Sequence, residues 1–249
     1  MLAVALAGAA AGAINTVVGS GTLITFPTLL AFGVPPVTAN VSNSVGLVPG
    51  SVSGAIGYRR ELAGQRSRVL RLCSASLLGT CVGAVLLLVL PAGAFEAVVP
   101  VLILLGCVLV VLQPRISAWV VRRHAAVGGL PQHGAWWVWP GVLLAGVYGG
   151  YFGAAQGVLL MAIMGIGIDE TLQRLNGVKN ILAAVVNGVA GLIFVVVADV
   201  DWTVAGLIAT GAVAGALVAA RYGRRLPATA LRVVIVVVGV AALVSFLAD

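Results

Sequence analysis

"VVGSGTLITFPTLLAF" (residues 17–32) and "YFGAAQGVLLMAIMGIG" (residues 151–167) decide how this chain is built. Each opens on a glycine-containing break. Each then continues into an apolar run of only 11 residues, 22–32 and 157–167. A membrane-crossing helix needs about 20 apolar residues. The two runs are therefore half-length pieces, and there are two of them, one in each half of the chain.

The rest of the chain sets them in a membrane. It is 61% hydrophobic and 8% charged over 249 residues, with a mean hydropathy of +1.16. Soluble domains carry about 25% charged residues. A soluble core of this size could not hide so much apolar surface. Period-2 alternation, the mark of an outer-membrane barrel, is missing. The reading is an all-α polytopic membrane protein, with the lipid bilayer as its surroundings. No basic region precedes residues 1–18, so they are read as a structural segment and not a cleaved leader.

The net charge of +7 does not point to nucleic acid. The arginines sit in short loops between apolar segments, where they fix topology. Cys73, Cys81 and Cys107 lie inside apolar segments with no Cys-x-x-Cys spacing, and read as small packing residues. His124 and His133 fall in a polar loop. No cofactor or metal is implied.

Ten apolar segments can be drawn, at about 1–18, 22–32, 37–57, 69–90, 94–113, 136–152, 157–167, 171–198, 203–221 and 227–248. The first half recurs in the second. Gly12, Gly19 and Gly33 fall on Gly146, Gly153 and Gly167, 134 residues on. After a shift of two near Asp169–Glu170 the offset is 136, and Asn40 falls on Asn176, Ser44 on Asn180 and Gly79 on Gly215. "LPAGA" (90–94) then falls on "LPATA" (226–230). The expected division is repeat 1 over 1–113, a cytoplasmic linker over 114–135, and repeat 2 over 136–249. Each repeat has three long helices plus a glycine-broken pair of shorter segments.

Charge indicates how the repeats are related. The loop "YRRELAGQRSRVLR" (58–71) holds five arginines, while its counterpart after residue 198, "DVDW", is acidic. The turn at 91–93 is uncharged, while "RYGRR" (221–225) is basic. Basic loops stay cytoplasmic. Equivalent loops thus face opposite sides, and the repeats have inverted topology. Five crossings per repeat, or three plus a re-entrant hairpin, both satisfy the inversion. The loops 58–68 and 114–135 and the turn 222–226 are expected on the cytoplasmic side, and 199–202 outside.

Inverted repeats with glycine-broken short segments are a transporter pattern, with a site at the repeat interface near the midplane. A helix that starts there presents free N–H groups and a positive dipole end, suited to an anion. The candidates are Gly19, Ser20, Gly21 and Thr22 in the first break and Gln156 in the second. The run "TLQRLNGVKNILAAVVNGVA" (171–190) adds a cation. Asn176, Lys179, Asn180 and Asn187 lie within about 100° on a helix wheel, and Arg174 lies opposite. Asn40, Asn43, Ser44 and Ser51 hold the equivalent positions. Lys179 stands about 12 Å into its helix, near mid-membrane. The alternative for the lysine is snorkelling, and for the asparagines helix–helix glue. Snorkelling suits Arg174 better, since it can pair with Glu170 at i,i+4. Asp169 and Glu170 precede a helix start and read as caps. Pro49 is expected to bend its helix beside the stripe.

"GSGTLITFPTLLAFGVPP" (19–36), "ANVSNSV" (39–45), "SGAIGYRRE" (54–61) and "LNGVKN" (175–180) resemble the TauE/SafE sulfite-exporter family. The spacing of Gly19, Gly21, Pro27, Gly33 and Pro36 carries most of the likeness. The resemblance implies a multi-pass carrier of the bacterial inner membrane that exports sulfite or a small organosulfonate such as sulfoacetate. The second break, "GAAQG", has fewer glycines than the family pattern, and Met161 stands where the first repeat has Pro27. Two other classes stay open. One is a passive anion channel, which saturable, gradient-coupled flux would exclude. The other is a membrane-embedded enzyme, disfavoured because the spans offer no histidine and no nucleophile–base set. The partners implied are a small anion and lipid, with homodimer formation left open.

Overall fold

A computed structural model describes residues 1–126, 134–222 and 228–248. Ten helices make up the architecture of these residues: α1 Leu2–Val17, α2 Thr22–Ala31, α3 Pro36–Gly57, α4 Arg66–Val89, α5 Ala92–Ala126, α6 Val138–Tyr151, α7 Gln156–Gly167, α8 Leu172–Val197, α9 Trp202–Tyr222 and α10 Ala228–Ala248. Each matches one apolar segment. The boundaries follow local chemistry. Gly33 takes a left-handed φ of +76°, and Pro36 sits in the first turn of α3, where its missing N–H costs nothing. Asp201 caps α9, its Oδ1 accepting from the N–H groups of Thr203 and Val204 at 3.0 Å each.

Two expectations shift. The helix expected to end at 113 continues through Pro114 to Ala126, so the first part of the expected linker is helical. A proline removes one intrahelical bond, and membrane helices absorb that loss. The cap of α8 is Thr171, whose side chain accepts from the Arg174 N–H at 3.4 Å. Glu170 instead pairs with Arg174 at 3.0 Å, as the i,i+4 spacing predicted, and with Arg68 of α4 at 3.1 Å. Burial raises the Glu170 carboxyl. Hydrogen bonds from the Thr171 N–H and both arginines outweigh that and hold it below the ordinary glutamate value. The rest of the linker, 127–133, and most of the turn at 222–226 lie outside the described residues.

Four helices are long and apolar enough to cross a membrane: Arg66–Val89, Ala92–Arg122, Leu172–Val197 and Trp202–Tyr222. Helix α3 is of similar length, but its stripe of asparagines and serines lowers its hydropathy. Val82, Leu104, Val196 and Val237 point outward and are exposed. An apolar outer face of this kind suits lipid rather than water.

Close helix packing repeats at equivalent positions. A methyl at Gly79 of α4 would run into the Leu143 carbonyl and Val147 amide of α6. A methyl at Gly215 of α9, its counterpart, would run into the Ala9 carbonyl and Ala13 amide of α1. Ala9 and Ala13 are themselves the counterparts of Leu143 and Val147. Likewise Gly12 lies on Ala212, and Gly146 lies on Ser76. Each half thus lends a helix to the other, and only small residues allow backbones to approach so closely. Between the halves, Phe26 stacks edge-on against Phe152 at 5.1 Å and Phe95 at 6.3 Å, and this aromatic core backs the second break.

Candidate functional site: a closed cavity between two broken helices

The two breaks are built alike. At the end of α1 the N–H groups of Val18 and Gly19 both donate to the Ile14 carbonyl, at 2.7 and 2.9 Å. At the end of α6 the N–H groups of Phe152 and Gly153 both donate to the Tyr148 carbonyl, at 2.9 Å. Gly19 and Gly153 take φ of +92° and +74°, the left-handed stop that glycine permits at a helix end. The chain then turns back. A Cβ on Gly21 would press on the Ala11 carbonyl. Helices α2 and α7 start at Thr22 and Gln156, again equivalent positions.

The breaks touch. The Gly157 N–H donates to the Gly19 carbonyl at 3.0 Å, and a Cβ on either glycine would overlap the other's backbone. Beside this contact lies a cavity of about 20 Å³, room for roughly one water. From the first half it is lined by Asn15, Gly19, Thr22 and Ser44. From the second it is lined by Gly149, Phe152, Gly153, Gln156, Gly157, Ala183 and Asn187.

The predicted site residues divide into wall and brace. Gly19, Thr22, Ser44, Gln156 and Asn187 form wall. Asn187 Nδ2 donates to Ser51 Oγ at 2.8 Å, so two equivalent residues of α3 and α8 bond to each other. Asn43 braces Thr22: its Nδ2 donates to Thr22 Oγ1 at 3.2 Å, and its Oδ1 accepts from Thr25. Asn40 Nδ2 donates to the Tyr151 carbonyl at the end of α6, at 2.9 Å. Gly21 is the residue before α2, and its N–H is held by Asn15 Oδ1 at 2.7 Å. Ser20 is fully buried.

Asn176, Lys179 and Asn180 gather behind the wall, at the end of α1. Lys179 is fully buried. Its Nζ donates to the carbonyls of Asn15 at 2.9 Å and Thr16 at 3.2 Å. The Nδ2 atoms of Asn176 and Asn180 both donate to the Thr16 carbonyl at 3.3 Å. Those carbonyls are the ones that a helix end leaves without intrahelical partners. Lys179 therefore neither snorkels nor lines the cavity. It holds the negative end of the α1 dipole, one residue behind the wall.

Several polar atoms have no protein partner. They include Gln156 Nε2 in the wall, Ser20 Oγ in the first break, and Asn40 Oδ1 on the stripe. Buried polar groups are normally paired, so these have capacity to spare for water or ligand. One wall residue escaped the sequence reading. Asn15 lines the cavity, pins Gly21 and supplies a carbonyl to Lys179. Its counterpart 134 residues on is Gly149, so comparing repeats gave no polar match. An asparagine near the end of an otherwise apolar helix was the signal available.

Known proteins resemble this chain along nearly all of its length. The family described as "Sulfite exporter TauE/SafE" matches residues 4–246. The probable membrane transporter protein ORF9 of Sinorhizobium sp is 27% identical over 252 residues, covering 96% of this chain and 89% of that protein. The probable membrane transporter protein YfcA of Escherichia coli (strain K12) is 27% identical over 223 residues, covering 87% and 76%. No solved structure matches.

Proposed function

Since the chain belongs to the sulfite exporter TauE/SafE family, we propose that it exports a small sulfur oxyanion, sulfite or an organosulfonate such as sulfoacetate, across the bacterial inner membrane. The chain is a multi-pass membrane transporter protein. The finer reading is a secondary carrier working by alternating access, with its two halves inverted in the membrane. The observation that carries it is the contact of the two glycine breaks, one from each half, around a closed polar cavity with a buried cation behind its wall.

The chemistry follows from the wall. The first turns of α2 and α7 present Thr22 and Gln156, with the positive dipole ends of both half-helices behind them. The unused Gln156 amide can donate to an oxyanion. Lys179 supplies a charge that no described carboxylate neutralises through an ion pair, and it acts through the end of α1 rather than by touching the anion. A cavity of about 20 Å³ is too small for sulfite, so loading requires the breaks to part. An enclosed cavity of this kind favours a carrier over an open channel.

The test is the purified chain with sulfite, sulfate, thiosulfate, sulfoacetate and taurine, read by thermal stabilisation and by counterflow in proteoliposomes. Sulfite or an organosulfonate should stabilise and exchange. Gln156→Ala should weaken binding about 10–150-fold, the loss of one hydrogen bond to a charged group. Failure of every sulfur oxyanion to bind or exchange would end the carrier reading. Full affinity in Gln156→Ala would move the site elsewhere.

A further inference from the structure

We propose that Lys179 is a tethered cation that fills, at the end of α1, the place a diffusible coupling ion would otherwise take, so that this protein works without sodium. The inference deepens the carrier reading above and rests on it. Helix α1 stops at Val17 inside the bundle, and its last carbonyls face no further turn. In broken-helix carriers such C-terminal ends hold the coupling cation. Here the position is taken from within the chain. The ammonium of Lys179 lies 2.9 Å from the Asn15 oxygen and 3.2 Å from the Thr16 oxygen, with no solvent exposure.

The surroundings are those of a hard cation. Its neighbours are carbonyl oxygens and the amides of Asn176 and Asn180, which converge on the same Thr16 oxygen at 3.3 Å. The ion pairs among the described residues join Glu170 to Arg68 and Arg174, and none involves Lys179. An ammonium is a compact point charge, and like an alkali ion it is satisfied by several oxygens. With the lysine stem removed, the two carbonyls remain, and either asparagine amide could turn its oxygen toward them. The other half does not repeat the device. Asn43 stands at the position equivalent to Lys179 and bonds to Thr22 and Thr25, and the end of α6 is held by the neutral Asn40 amide.

The experiment compares thermal unfolding of the full chain in NaCl and in choline chloride at equal ionic strength, without transported anion. The wild type should show no sodium-specific shift. Lys179→Ala should unfold at lower temperature and recover part of that loss in NaCl, with a Tm that climbs with log [Na⁺] as binding linkage requires. Lys179→Met, whose stem still fills the space, should not respond to sodium. A sodium-specific stabilisation of the wild type, or a Lys179→Ala protein indifferent to sodium, overturns the proposal. If Lys179→Ala does not fold, wild-type sulfite flux in vesicles decides. Stimulation by a sodium gradient refutes the tethered cation, and flux indifferent to sodium supports it. The unfolding measurement uses no anion. A chain that shows the expected sodium pattern but moves no sulfite fails as a sulfite carrier while keeping its tethered cation.

Discussion

The contact between the two breaks can be broken by a single methyl. In Gly157→Ala the added Cβ would fall on the backbone of Gly19, its Cα and carbonyl included. Neither neighbour is a flexible side chain. Both are backbone, and Gly19 is fixed in a left-handed conformation at φ +92°. The clash must be relieved by moving α2 against α7, and overpacking of this kind costs about 1–3 kcal/mol. The chain supplies its own control. Gly188 lies within α8, and a methyl added there would have nothing within 4 Å. At that position Gly→Ala should stabilise by about 0.5–1 kcal/mol through helix propensity. The two variants should therefore differ by ~1.5–4 kcal/mol, or ~3–16 °C in Tm for a chain of this size. The assay is thermal unfolding in detergent with sulfite flux in proteoliposomes. Gly157→Ala should also lose flux, because the breaks that must part have been forced into a new packing. If Gly157→Ala matches Gly188→Ala in both stability and flux, the breaks do not meet as described.

Three further outcomes follow from the same geometry. Gly79→Ala and Gly215→Ala should each destabilise by about 1–3 kcal/mol, since each methyl meets equivalent backbone atoms of the opposite half; a large cost at one and none at the other in detergent unfolding would show that the packing is not shared. The Glu170 carboxyl is held below its ordinary value, so its contribution is present above the unfolded carboxylate pKa of about 4.3 and is lost as pH falls through the lowered folded value; Tm against pH should lose that acid-side drop in Glu170→Gln, and an unchanged profile would remove Glu170 from the account. In a background without Cys73, Cys81 and Cys107, single cysteines at the exposed Ser67 and Asp199 should react with impermeant reagent from opposite faces of the membrane, and labelling of both from one face would end the inverted reading.

The ten helices were legible because each apolar run is a helix long enough to show, and each break carries a glycine or proline for a stated reason. Helix α5 outruns its expected end at Pro114, since proline ends helices in water but only kinks them where neighbouring helices hold the chain. The site was legible in azimuth and not in partner. A helix wheel places Asn176, Lys179 and Asn180 on one face, but their partners are the carbonyls of Asn15 and Thr16, 160 or more positions away in the chain. No local pattern contains that distance.

The same comparison of repeats that exposes the fold also shows where the halves part company. Asn40 and Asn176 are equivalent, and each grips the end of the opposite half's first helix, at Tyr151 and Thr16. At the end of α6 the grip is one neutral amide, a bond worth about 0.5–1.5 kcal/mol net. At the end of α1 it is two amides and an ammonium, and bonds to a charged group are worth about 1.5–3 kcal/mol each. The backbone geometry of the two breaks is nearly the same, while their fastenings are not. Of the two broken helices, α6 is the one held more weakly. The movement that opens a cavity too small for its anion should begin there, with α1 and α8 staying locked through Lys179 as the frame against which it moves.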